Sequence, residues 1–312
     1  MKAFTKTSYF LFGGLAAILL LGFILSGTFD LPLSQSVYDK SSVFGMVCAS
    51  FGELFGWAMM AVFGSMAFRL AQQVEKKLFK ALLVVFGIVV IGVSAYLVFA
   101  DMNSSHNGFK EVSHIVVRIA LTAVFEALIV FFSFKIIDTK DTRKLLCAWI
   151  ILMIAFYLGM AINFITKAIV MRPRFRLIAD GYEGYTAAEL FEPWYLAGGK
   201  GLAESVFPSE VVSSDDFKSF PSGHSFMSMS SLLFFYIPLL NEKVKDKPWV
   251  RYLVFAIFAL YGLTVEFARI VYGAHYLSDT TLGGMLALLC AFLIPFFGFR
   301  LAEKKGWISQ NA

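Results

Sequence analysis

The chain has 312 residues and a net charge of +5; it is 58% hydrophobic, 17% aromatic and only 16% charged. Water-soluble domains carry nearer a quarter of their residues charged, so a large soluble core is excluded. The basic excess does not indicate nucleic acid as a partner, because Lys and Arg sit in short clusters between apolar runs, as in cytoplasmic membrane loops.

Apolar runs of membrane-spanning length predict eight helices, at about 9–26, 43–68, 80–100, 116–136, 145–168, 223–240, 252–271 and 279–299. The expected fold class is therefore all-α, a polytopic transmembrane helical bundle. The first run follows a basic head, is long for a cleaved signal and has no A-x-A site after it, so it reads as a retained span. Cys48, Cys147 and Cys290 fall inside apolar runs and read as buried thiols, not as a disulfide framework or metal cluster.

Orientation follows from the basic residues. One set of segments carries Lys2, Lys6, Arg69, Lys76, Lys77, Lys80, Lys135, Lys140, Arg143, Lys144, Lys243, Lys245, Lys247, Arg251, Arg300, Lys304 and Lys305. These are 17 of the 27 Lys and Arg, which predicts both termini in the cytoplasm and the long loop at about 172–220 outside. The segment "MRPRFR" breaks the rule by placing three arginines outside, and an anion bound there would account for them. The loop is rich in aromatic residues, among them Tyr182, Tyr185, Trp194 and Tyr195. It reads as an interfacial loop with rings at headgroup depth, with a substrate-facing lid as the alternative. His106 and His114 read as interfacial histidines. Glu53, Glu126 and Glu266 lie within apolar runs, where an acid marks a functional site or makes an interhelical hydrogen bond.

Three clusters at the outer ends of the last four spans carry the chemistry. They are Lys167 with Arg172-Pro173-Arg174, then Pro221-Ser222-Gly223-His224, then Arg269 with His275 and Asp279. His275 and Asp279 are four apart and face the same way on a helix. The carboxylate then accepts from one imidazole nitrogen and leaves the other as a nucleophile. Gly273 lets the chain turn and brings Arg269 back toward them. His224 stands at a helix N-terminus, where free N–H groups and the helix dipole favour a phosphate. Gly223 permits close approach, Ser222 caps the helix or donates to an oxyanion, and His224 is suited to protonating a leaving oxygen. Lys167, Arg174 and Arg269 supply positive charge for a phosphoryl group.

The order and internal spacing of these clusters resemble the signature of the type 2 phosphatidic acid phosphatase family, which shares its site with the vanadium haloperoxidases. That signature is Lys-x6-Arg-Pro, Pro-Ser-Gly-His and Ser-Arg-x5-His-x3-Asp. Here Phe175 stands where the first motif has Pro, and Ala268 where the third has Ser. Six intervening residues from Lys167 lead to Arg174, so Arg174 is assigned as the phosphate-binding arginine and Arg172 as its neighbour. The motifs span residues 167–279. The resemblance implies attack on phosphorus by His275 to form a phosphohistidine, orientation of His275 by Asp279, and proton transfer by His224. It implies no metal and no cofactor. It also implies a six-helix phosphatase core at 80–300, extra N-terminal transmembrane helices at 1–79, and a cytoplasmic tail at 301–312. The function expected is hydrolysis of a lipid phosphomonoester or lipid diphosphate (phosphatidate, phosphatidylglycerol phosphate or a polyprenyl diphosphate) on the outer face of a bacterial plasma membrane. The expected partners are that lipid phosphate and the membrane lipids. A lipid-linked phosphotransferase using the same site is the alternative, and a transporter using the intramembrane acids ranks far behind.

Overall fold

The computed structural model describes residues 4–102, 112–196, 201–208 and 212–308; Lys2 and His106 lie outside them. The described chain is helical apart from turns, loops and one isolated bridge between Tyr182 and Tyr185. Eight of its helical stretches are long and apolar enough to cross a membrane, and they coincide with the runs read from the sequence.

Helix α1 (Lys6–Val37) starts at a capping box, in which the Thr5 hydroxyl accepts from the Ser8 N–H and the Ser8 hydroxyl from the Thr5 N–H. The second span is broken into α2 (Val43–Phe51) and α3 (Leu54–Gln73). The break is satisfied from outside, since the Tyr261 hydroxyl lies 2.9 and 2.8 Å from the Phe51 and Gly52 carbonyls. Irregular backbone is tolerated in a span where such partners exist. Helices α4 (Lys77–Asp101), α5 (Val112–Ile136) and α6 (Thr142–Ile169) follow, with α6 capped by Asp141 accepting from the Lys144 N–H. The loop carries three short helices, α7 (Phe175–Ile178), α8 (Ala187–Leu190) and α9 (Leu202–Val206). Helix α10 (Gly223–Ser230) continues as a 3₁₀ stretch to Leu240, and α11 (Pro248–Val271) and α12 (Leu277–Lys304) complete the bundle.

Helices α3 and α10 form the centre, buried on nearly every side, whereas α4 and α5 expose Leu82, Val85, Ile88, Val116, Ile119 and Phe131 in the manner of lipid-facing surfaces. Helix α1 packs along α12, and α3 packs against α4, α6 and α10, so the N-terminal helices are woven into the bundle. The α3–α10 contact depends on Gly56, where a Cβ would come 2.4 Å from the Met227 carbonyl oxygen. Of the intramembrane acids, Glu126 accepts a 2.8 Å hydrogen bond from Ser94 on α4, and Glu266 is buried beside α12 next to Gly284.

Helix termini gather at two ends. At one, Gln73 donates to the Thr139 carbonyl, Thr142 donates to Gln73, and Asn241 donates to the Ile136 carbonyl. The three clusters read from the sequence all lie at the other. There the loop forms a small core of its own, with Phe175, Ile178, Leu190, Phe207 and Phe217 closing round Tyr276. Tyr182 packs on Phe207 at 4.4 Å and Trp194 on Phe23 of α1 at 4.6 Å, while Tyr185 and Tyr195 are exposed.

Candidate active site

A cavity of about 500 Å³ lies at this second end, between α3, α6, α10, α11 and the loop. Lys167 reaches it from the last turn of α6, Arg174 from the start of α7, His224 from the first turn of α10 and Arg269 from the last turn of α11. His275 enters from the turn between α11 and α12. That turn needs Gly273, which has φ +65°, and a Cβ there would meet the Tyr38 ring at 2.5 Å. The far wall is apolar, formed by Trp57, Met160, Phe164, Phe226 and Met227.

His275 is held differently from the sequence expectation. Its Nδ1 lies 2.6 Å from the Ser219 carbonyl oxygen and 3.8 Å from Asp279. A carbonyl only accepts, so Nδ1 carries the hydrogen and Nε2 is left with its lone pair. Ser219 thus sets the tautomer that had been expected from Asp279. Asp279 works one step back: it accepts from the Ser219 hydroxyl, from the Tyr276 N–H at 2.8 Å and from Arg172 at 2.6 Å. Burial pushes the His275 pKa well below its ordinary 6.5; Asp279 opposes this, while Lys167, Arg174 and Arg269 reinforce it.

Arg172 does not line the cavity. Fully buried, it bridges Asp30 of α1 at 2.9 Å and Asp279 at 2.6 Å, with its guanidinium 4.0 Å from the centre of the Tyr276 ring. Burial works against its charge, but Asp279 and Asp30 outweigh burial and hold its pKa above the ordinary value. Arg174 does face the cavity and is paired with Asp215 at 2.7 Å on the rim. Burial raises the Asp215 pKa, but Arg174, Lys167 and Arg176 overcome it and leave the carboxyl below its usual range. Lys167 donates to the Lys218 carbonyl at 3.0 Å. Arg269 makes no ion pair among the described residues, and its buried Nε has no hydrogen-bond partner there. Ser222 takes the capping role: its buried hydroxyl accepts from the Ser225 N–H and does not line the cavity. Gly223 borders it, and a Cβ there would sit 3.8 Å from Lys167 Nζ and 3.9 Å from Glu53 Oε1.

His224 faces two acceptors from the second span. Nδ1 lies 2.9 Å from Glu53 Oε1, and Nε2 lies 3.1 Å from the Ala49 carbonyl oxygen and 3.7 Å from Asp101. Ligand atoms of Glu53, Asp101 and His224 come within 4.8 Å of one another. The two carboxylates address opposite ring nitrogens, which suits hydrogen bonding and not three donors converging on one ion. Sequence reasoning missed Asp30, Ala49, Asp215 and Ser219 and left Glu53 undecided. Asp30 and Glu53 each carried a signal, as a lone acid in an apolar stretch.

The fold and cavity define a polytopic helical membrane protein with a cationic, histidine-bearing pocket at one end of the bundle. Residues 148–302 match the model of the PAP2 superfamily, and the chain belongs to that superfamily. Comparison with curated proteins and with solved structures gave no match. Membership makes this a phosphatase-type protein acting on phosphate esters.

Proposed function

We propose that the protein hydrolyses a lipid phosphomonoester or lipid diphosphate at the outer face of a bacterial plasma membrane, through a phosphohistidine on His275. The observation that carries this reading is the convergence of Lys167, Arg174 and Arg269 on one cavity with His275 and His224, against an apolar wall. Three buried or half-buried cations gathered on one cavity are costly unless an anion completes them. The polar end suits a phosphate and the Trp57, Met160, Phe164 wall suits the first carbons of a lipid chain.

In the first step the Nε2 lone pair of neutral His275 forms the N–P bond as the P–O bond to the leaving group breaks, and His224 gives that oxygen a proton. In the second, a water oxygen bonds to phosphorus as the N–P bond breaks, and His224 takes the water's proton. Lys167, Arg174 and Arg269 balance the charge on the three phosphoryl oxygens, a task that needs no metal. The distance from Asp279 to the ring gives it a supporting part, holding Ser219 and the first turn of α12.

The test is phosphate release by purified protein from phosphatidate, phosphatidylglycerol phosphate and a polyprenyl diphosphate, with a chelator present. At least one should be hydrolysed, and His275→Ala should reduce release to background. A folded His275→Ala protein with wild-type turnover would sink the reading.

A further inference from the structure

Helix α10 and the helix break at residues 52–53 meet at one hydrogen bond, and we propose that Glu53 is the positioning residue for His224. This rests on the phosphatase reading above. Glu53 lies outside the matched segment 148–302, in a span that the family resemblance marked as an addition to the core.

Its geometry is specific. Glu53 is the N-cap residue of α3, a position where an acid ordinarily bonds to N–H groups of its own helix, yet it makes no side-chain cap. One carboxylate oxygen goes instead to His224 Nδ1 at 2.9 Å, and the other accepts from Trp57 Nε1 at 3.0 Å. The carboxylate is thereby fixed at both oxygens, at the break that Tyr261 stabilises. The Gly56–Met227 contact sets the distance between α3 and α10.

The donor and acceptor roles follow. A carbonyl faces Nε2 and a carboxylate faces Nδ1, so a hydrogen lies on Nε2 and another proton is shared between Nδ1 and Glu53. In the first step the Nε2 proton passes to the departing oxygen, which takes the place of the Ala49 carbonyl. The ring is left neutral with its hydrogen on Nδ1, donating to Glu53, so the Nε2 lone pair is ready for the water's proton in the second step. Without the Glu53 carboxylate, the neutral ring has no acceptor at Nδ1 to keep that tautomer, and its charged form keeps only Asp101, 3.7 Å from the other nitrogen.

The experiment compares kcat/KM for an alkyl phosphate, whose alkoxide must be protonated to leave, with that for 4-nitrophenyl phosphate, whose phenolate leaves without help. General acid catalysis is typically worth about 10²–10⁴-fold, so Glu53→Gln should cost roughly 10- to 100-fold on the alkyl phosphate and less than about threefold on the nitrophenyl ester. In a His224→Ala background the Glu53→Gln change should add nothing. Trp57→Phe, which frees one carboxylate oxygen, should show the same substrate pattern at smaller size and serves if Glu53→Gln does not fold. An equal loss on both esters, no loss on either, or an additive loss in the His224→Ala background overturns the proposal. Wild-type turnover and its abolition in His275→Ala are read in the same assay. If those fail, the phosphatase reading falls and Glu53 with it; if they stand and the Glu53 pattern is absent, only the positioning role falls.

Discussion

The two histidines of the cavity are held by different parts of the chain. His275 is oriented from within the matched segment, by the Ser219 carbonyl, with Asp279 behind it. His224 is oriented from outside that segment, by Glu53 and the Ala49 carbonyl on the broken second span. The difference is one of rigidity and reach. Around His275, every partner sits on the turn into α12 or the strand of loop entering α10, and Arg172 ties that assembly to Asp30 of α1. Around His224, Glu53 reaches in from the broken second span and Asp101 from the end of α4, and the Glu53 position depends on how α3 packs. His275 is thus held by the loop and the turn that flank it in the fold, and His224 by packing of the second span against α10.

Several measurements break or sharpen this contrast. Removing the groups themselves has the largest effect: His275→Ala should lose on the order of 10⁴-fold or more in kcat/KM, and His224→Ala about 10²–10⁴-fold. If both lost equally on the nitrophenyl ester, the division into nucleophile and acid would be wrong. Next in size is Arg172→Met, which leaves Asp30 and Asp279 buried without their cation. It should cost about 3–5 kcal/mol, read as a fall in thermal unfolding temperature in detergent, with activity lost through displacement of Ser219 and His275.

A smaller effect comes from pH. The folded-state pKa of His275 is depressed, so the folded chain stays unprotonated there while the unfolded chain takes up a proton below about 6.5. Stability should therefore fall as pH drops below that value, by up to about 1.4 kcal/mol per pH unit for this group. His275→Asn should flatten that slope, whereas a slope unchanged by the substitution would assign it to other groups. Smallest is Asp215→Asn at the rim. The pair with Arg174 is largely open to solvent on the acid's side, so stability should change by less than about 1 kcal/mol. If Arg174 binds phosphate as proposed, Asp215 competes for it and KM should fall; a rise in KM would mean the pair orders the loop for binding.

Much of this molecule was legible in the chain. Eight apolar runs announced the spans because burial in lipid requires a continuous apolar stretch, a property of local sequence. Lys167, His224, Arg269 and His275 were singled out at helix ends that the same apolar runs mark, and the motif spacing of the resemblance singled out Arg174. The same spacing chose Arg174 over Arg172, but it could not say what Arg172 does. Two residues separate them, and only the fold turns one onto Asp30 and the other into the cavity. The Ser219 carbonyl was invisible for a simpler reason: every residue has a carbonyl, and backbone acceptors carry no sequence signal.

Sequence by itself therefore determined the class, the membrane-spanning pattern and the identity of the charged and imidazole groups, because these depend on residue type and local period. Tertiary structure alone decided which acceptor sets each imidazole's tautomer, which arginine faces the cavity and which acid reaches His224. Those are contacts between positions up to 175 residues apart, and they exist only once α1, α3, α10 and α12 pack together.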